Sequence, residues 1–193
     1  MKFSNSSIKE IWDYRMIIPQ LIILSFKTQF RQSLLGPAWH VLQPLASSGV
    51  LLVVFKEILG TADNLENPFL TFFSAVVFWN VFLQAFTSSC ALFEANQALF
   101  TKIYFPRVIP AFSQMGISAF RFLLQFLLYI FLLFITGEQV SEMNLFTIFF
   151  YSSVLFLHLS IIGIGIGLIF ASASVAYKDL VIATPFLTNI LFF

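Results

Sequence analysis

"FLTFFSAVVFWNVFLQAFTSSCALF", residues 69–93, holds no aspartate, glutamate, lysine or arginine. A helix needs roughly 20 mostly apolar residues to cross the hydrocarbon core of a bilayer. This stretch meets that requirement without interruption, and it sets the fold class as membrane-spanning and helical. Working outward, residues 38–55 form a first candidate span, slightly short and softened by His40 and Gln43. Residues 108–136 form a long third span with one charge, Arg121. Residues 145–171 form a fourth that encloses His158. A fifth run, 180–193, has 14 residues. At ~1.5 Å per residue it reaches only about 21 Å, against a core of about 30 Å. The chain is therefore expected to be truncated inside a hydrophobic helix.

Composition agrees. The chain is 59% hydrophobic and 10% charged, with mean hydropathy +0.92, whereas a soluble domain is about a quarter charged. The net charge of +1 gives no basis for a nucleic-acid partner. Cys90 is the single cysteine, so no internal disulfide can form. The N-terminus "MKFSNSSIKEIWDYRM" lacks the apolar core and small-residue cleavage site of a signal peptide. The expected architecture is an all-α polytopic membrane helix bundle. Residues 1–37 form cytoplasmic or interfacial amphipathic helices, and residues 38–193 form the transmembrane domain.

Within the first segment, Ser7 and Glu10 fit a capping box that starts a short helix. Pro19 suits the first turn of a second helix. There Ile22, Ile23, Phe26, Phe30 and Leu34 fall on one face, and Gln20, Lys27, Arg31 and Gln32 largely on the other. Gly36-Pro37 ends it. An apolar stripe too short to span, backed by cations, is expected to lie in the membrane interface. The alternative is a helix packed on the bundle.

Topology follows from the cations. Lys2, Lys9, Arg15, Lys27 and Arg31 precede the first span, Lys102 and Arg107 lie between the second and third, and Lys178 follows the fourth. The other loops hold Lys56 with Glu57, Asp63, Glu66, Glu138 and Glu142. Eight cations against one, alternating by loop, put the N-terminus and the 94–107 and 176–179 loops in the cytoplasm.

The cytoplasmic stretch "NQALFTKIYFPRVIP", residues 96–110, is stiff, basic and aromatic. Pro106 and Pro110 restrict the backbone on both sides. Tyr104 and Phe105 beside Lys102 and Arg107 suit docking to another protein, because aromatics and arginine carry interface energy. The same residues suit a headgroup belt equally well.

No catalytic or metal-ligand constellation is present. His40 and His158 have no partners at ligand spacing. "GIGIGLIF", residues 163–170, lies in an apolar run with no following Lys-Ser/Thr, so Gly163, Gly165 and Gly167 are expected to allow close helix packing or a bend rather than to hold a nucleotide. No Walker motif occurs, so this chain is not itself an ATPase. Arg121, the one charge inside a span, is expected near mid-depth, in a buried pair or a transport pathway; the alternative is a shallower side chain that reaches the headgroups.

Two motifs carry a resemblance. "FKTQFRQSLLGPAWHVLQPL" offers Leu35, Gly36, Trp39, Leu42 and Pro44 behind a basic helix bearing Lys27 and Arg31. The 96–107 stretch offers Asn96, Leu99, Lys102, Phe105, Pro106 and Arg107. With the turn Tyr177-Lys178-Asp179, where the family's arginine is a lysine here, the chain resembles the membrane subunits of ABC exporters of bacterial polysaccharides over nearly its whole length. The resemblance implies a homodimer in the bacterial cytoplasmic membrane. It implies separate ATPase subunits that use ATP and Mg, with no cofactor bound by this chain, and a lipid-linked substrate such as O-antigen, capsule or teichoic acid. It makes residues 96–107 the ATPase-coupling loop. Such subunits have six spans, so an ending in the fifth puts transport in question. The rival functions are an ABC permease for a small molecule, such as a drug or antibiotic, and a non-transporting truncated membrane protein.

Overall fold

The computed structural model describes residues 16–30, 34–62, 65–92, 109–137, 145–174, 177 and 179–192. Among them there is no strand, and the chain is an all-α membrane helix bundle. Its elements are α1 (Ile17–Phe30), a 3₁₀ turn (Gly36–Ala38), α2 (Trp39–Leu52) continued by a wide π turn (Val53–Ile58), α3 (Pro68–Cys90), α4 (Ile109–Thr136), α5 (Leu145–Ser174) and α6 (Asp179–Phe192). Among the described residues, four segments are long and apolar enough to cross a membrane: Gly36–Ile58, Pro68–Cys90, Ser113–Thr136 and Leu145–Ser174.

Local chemistry accounts for most boundaries. α1 begins at Ile17 and takes Pro19 in its first turn, where backbone N–H groups have no intrahelical acceptor to lose. Gly137, at φ +64°, follows Thr136 and closes α4 in the left-handed conformation that glycine adopts freely. The first span runs past the expected residue 55. Lys56 and Glu57 sit in its final wide turn, both exposed, so their heads reach out while the backbone stays helical. The fourth span runs three residues past the expected 171, to Ser174. α1 departs from the single-stripe expectation. Ile22 and Phe26 are half-buried, whereas Ile23 and Leu24 are exposed. The helix thus has one apolar face against protein and another turned outward. The capping box at Ser7 lies outside the described residues, as do Arg31 and Gln32.

The chain divides into two compact units, and α3, α4 and α5 each contribute one half to each. The first unit holds α1, residues 82–90 of α3, the start of α4 to residue 118, residues 160–174 of α5, and α6. Its interior is rich in small and hydroxyl side chains: Ala85, Ser89, Cys90, Ser113, Ser118, Ser160, Ala171, Ser174, Thr184 and Thr188 are buried, beside the larger Phe86, Leu92 and Ile117. α5 brings its backbone against α3 here. A Cβ built on Gly163 would lie 2.9 Å from the Phe82 carbonyl oxygen, and one on Gly167 would lie 2.7 Å from that of Phe86. Only glycine allows such an approach. Gly165 faces open space, so two of the three glycines do the packing. On the other side of the unit Ile22 of α1 covers Gly116 of α4.

The second unit holds the segment Gly36–Ile58, residues 68–81 of α3, residues 119–136 of α4 and residues 145–159 of α5. Rings fill it. Phe122 of α4 lies 5.8 Å from Phe78 of α3, 5.0 Å from Phe156 of α5 and 5.8 Å from Phe126 on its own helix. Phe126 meets Phe149 edge-on, and Phe73 stacks on Tyr129. Offset and edge-to-face pairs at these separations add about 0.5–1.5 kcal/mol each beyond their buried area.

Candidate functional site

The entry to the first span is shaped by two residues of the first motif. Gly36 has φ +50°, a left-handed conformation in which a side chain is strained. Pro37 then starts the 3₁₀ turn that leads into α2. Leu35, Trp39 and Leu42 are exposed on this segment, whereas Pro44 is fully buried.

Pro44 has no N–H, so the carbonyl four residues earlier, that of His40, loses its helical donor. Gln125 of α4 replaces it: its Nε2 donates to the His40 carbonyl at 2.9 Å. Gln125 is itself buried. In a bilayer every backbone group needs a partner inside the protein, and here a side chain from another helix supplies it. Ser48 donates to the Pro44 carbonyl at 2.7 Å and completes the local network.

Arg121 stands one turn before Gln125 on the same face of α4. It is half-buried, one turn from the Gln125 that bonds the His40 carbonyl. This brings together a site residue expected from sequence, Arg121, and the segment carrying Leu35, Gly36, Trp39, Leu42 and Pro44. His40 lies four residues past Gly36, roughly 6 Å of helical rise into the first span, and Arg121 lies near the midpoint of its own helix, α4. No other protein group of the site was legible in advance except Pro44. Gln125 was missed, although a proline inside an apolar helix signals an orphaned carbonyl that some donor must serve.

The remaining expected residues are not drawn into this cluster. Lys27 is exposed on α1 and belongs to the first unit. Tyr177 is exposed, and its carbonyl accepts from the Leu180 N–H at 3.2 Å. Asp179 opens α6, where a carboxylate complements the positive end of the helix dipole. Asn96, Lys102, Tyr104, Phe105, Pro106 and Arg107 lie outside the described residues, as do Arg31 and Lys178. Among the described residues no group of histidine, cysteine, aspartate or glutamate is arranged to hold a metal ion.

No family model matches the chain. It is similar to the O-antigen export system permease protein RfbA of Klebsiella pneumoniae, with 23% identity over 177 residues. The aligned region takes in 90% of this chain and 66% of that protein, so the chain spans just under two thirds of its relative's length.

Proposed function

We propose that this chain is the membrane subunit of an ABC exporter that moves a lipid-linked polysaccharide out of the cytoplasm. It works as a homodimer with separate ATP-hydrolysing subunits, in the bacterial cytoplasmic membrane, with its N-terminus in the cytoplasm. The observation that carries this reading is the likeness to an O-antigen export permease across 90% of the chain. The three motifs fall in family order along the same stretch. Two motif residues also have physical work to do in the fold: Gly36 holds a left-handed turn, and Pro44 frees the carbonyl that Gln125 caps.

In this reading the spans form the path, and the ATPase supplies ATP, Mg and the power stroke. The 96–107 loop receives that stroke. Phe105 is its anchor, Pro106 keeps it stiff, and Lys102 and Arg107 meet acidic groups on the ATPase. O-antigen leads among the polymers, since that is what the relative exports by name.

Deletion of the gene in its own host tests the substrate class. Loss of a surface polysaccharide with accumulation of the lipid-linked polymer inside the cell is the expected outcome. Unchanged surface polysaccharide, with a changed resistance to a small-molecule drug, would assign the chain to small-molecule export instead.

A further inference from the structure

We propose that the outward face of the first span is the seam along which two copies of this chain pair, helix to helix. The proposal deepens the homodimer of the reading above and rests on it. Trp39, Gln43, Ala46, Val50 and Val53 are all exposed, and the steps between them are four, three, four and three residues. That spacing keeps one stripe of a helix against a parallel partner helix over its whole length. Pro44 and Ser48, on the opposite side of α2, are buried. Gln125 of α4 holds α2 to the bundle through the His40 carbonyl. The stripe therefore turns away from the unit that carries it.

Gln43 says what covers the stripe. The segment Gly36–Ile58 has 23 residues, roughly 34 Å of helix against a hydrocarbon core of about 30 Å. Gln43 stands seven residues past Gly36, roughly 10 Å along the axis. Wherever a core of that thickness falls along the segment, the backbone of Gln43 is at least roughly 6 Å inside it. An exposed carboxamide at that level has no water to bond and calls for a polar group on another helix. A second copy supplies an equal one. Subunits inserted in the same direction pair about a twofold axis along the membrane normal, so each residue of the stripe meets its own equivalent at the same depth. A carboxamide both donates and accepts, so the paired Gln43 side chains bond each other. One polar pair within an otherwise apolar seam fixes its register. The small Ala46 lets the two backbones approach, and the branched Val50 and Val53 pack against their equivalents.

The test is oxidative cross-linking of the full chain in membranes of its own host, in a Cys90→Ala background. Ala46→Cys, Val50→Cys and Val53→Cys should each join two copies by a disulfide. Leu45→Cys and Leu52→Cys, half-buried on the sides of α2 turned from the stripe, should not. In the purified protein, Gln43→Leu should raise the dimer dissociation constant about three- to tenfold, the scale of a hydrogen bond between helices in a membrane. Gln43→Asn keeps the amide and should lose less. Stripe cysteines that cross-link no better than Leu45→Cys and Leu52→Cys overturn the proposal. A chain that is still a dimer then keeps the homodimer and assigns it to another face, whereas a monomer removes the homodimer too; the gene deletion judges the exporter reading separately. Stripe thiols that react with a water-soluble maleimide instead of each other make this face the wall of a wet path, which also overturns the proposal. So does an unchanged dissociation constant in Gln43→Leu with a normal melting temperature.

Discussion

The two units hold their helices together by different means. In the first, backbones meet: Gly163 and Gly167 of α5 lie against the Phe82 and Phe86 carbonyls of α3. The hydroxyls around them turn back onto their own helices. Ser174, Thr184 and Thr188 donate to the carbonyls of Ala171, Leu180 and Pro185. In the second, rings fill the space between helices, and one amide, Gln125, crosses to a foreign backbone carbonyl. Lipid tails are as apolar as leucine, so burial alone drives neither arrangement. Close backbone contact beside the Phe86–Phe170 ring pair does so in one unit, and a wider set of ring contacts with a polar cap does so in the other. Each should therefore fail to a different substitution.

The largest effect is expected at Phe122, which joins three helices through its ring contacts. Phe122→Ala should destabilise the detergent-solubilised protein by about 3 kcal/mol. Phe122→Leu, which restores most of the volume but no ring, should recover less than half of that loss. Near-complete recovery by leucine would show that volume, not ring geometry, holds the second unit.

Next comes the glycine seam. Gly167→Ala pushes a methyl to within 2.6 Å of Ser89 Cβ and 2.7 Å of the Phe86 carbonyl oxygen. It should cost about 1–3 kcal/mol. Gly165→Ala meets nothing within 4 Å and should be neutral or stabilise by up to about 1 kcal/mol. Thermal unfolding of the pair reads the contrast. The reverse order would place the helix contact on the wrong face of α5.

The polar cap predicts a coupling. Gln125→Leu should cost about 1 kcal/mol, because it strips the donor from the His40 carbonyl. Pro44→Ala returns a helical N–H to that same carbonyl, so in its background Gln125→Leu should cost much less. A double-mutant cycle isolates the term. Additive losses would mean that Gln125 and Pro44 do not share the carbonyl.

The smallest effect concerns the entry turn. Gly36→Ala should cost about 1 kcal/mol at φ +50°, although no atom lies within 4 Å of the added methyl. Gly49→Ala, equally uncrowded but within α2, should stabilise slightly. Matching responses would remove the left-handed turn as the reason for glycine at position 36.

These contrasts show what was legible in the sequence. The uncharged run at 69–93 gave α3 to within three residues, because apolar length is a property of the chain alone. The run of alternate glycines announced close packing, but a four-residue spacing selects Gly163 and Gly167, and only the partner helix reveals that Gly165 is not used. Pro44 was legible as a motif residue, but the carbonyl it orphans was not drawn from it. Its donor, Gln125, stands 85 residues from His40, and no local pattern identifies it. Arg121 was visible as a charge in a span, but its place one turn from the amide that reaches α2 was not, because the partner helix sets it. α1 kept its apolar stripe but divided it between protein and outside, a choice that packing against Gly116 makes and periodicity cannot.

The central claim is that this chain is the membrane half of an ABC exporter, and its most direct test is capture of the ATPase. The tagged protein, purified in detergent from its own host and monodisperse by size exclusion, should bring down an ABC ATPase in a one-to-one subunit ratio. Phe105→Ala and Arg107→Ala should each reduce that capture severalfold, at equal amounts of folded membrane protein. Monodisperse wild-type protein that captures no ATPase would contradict the account.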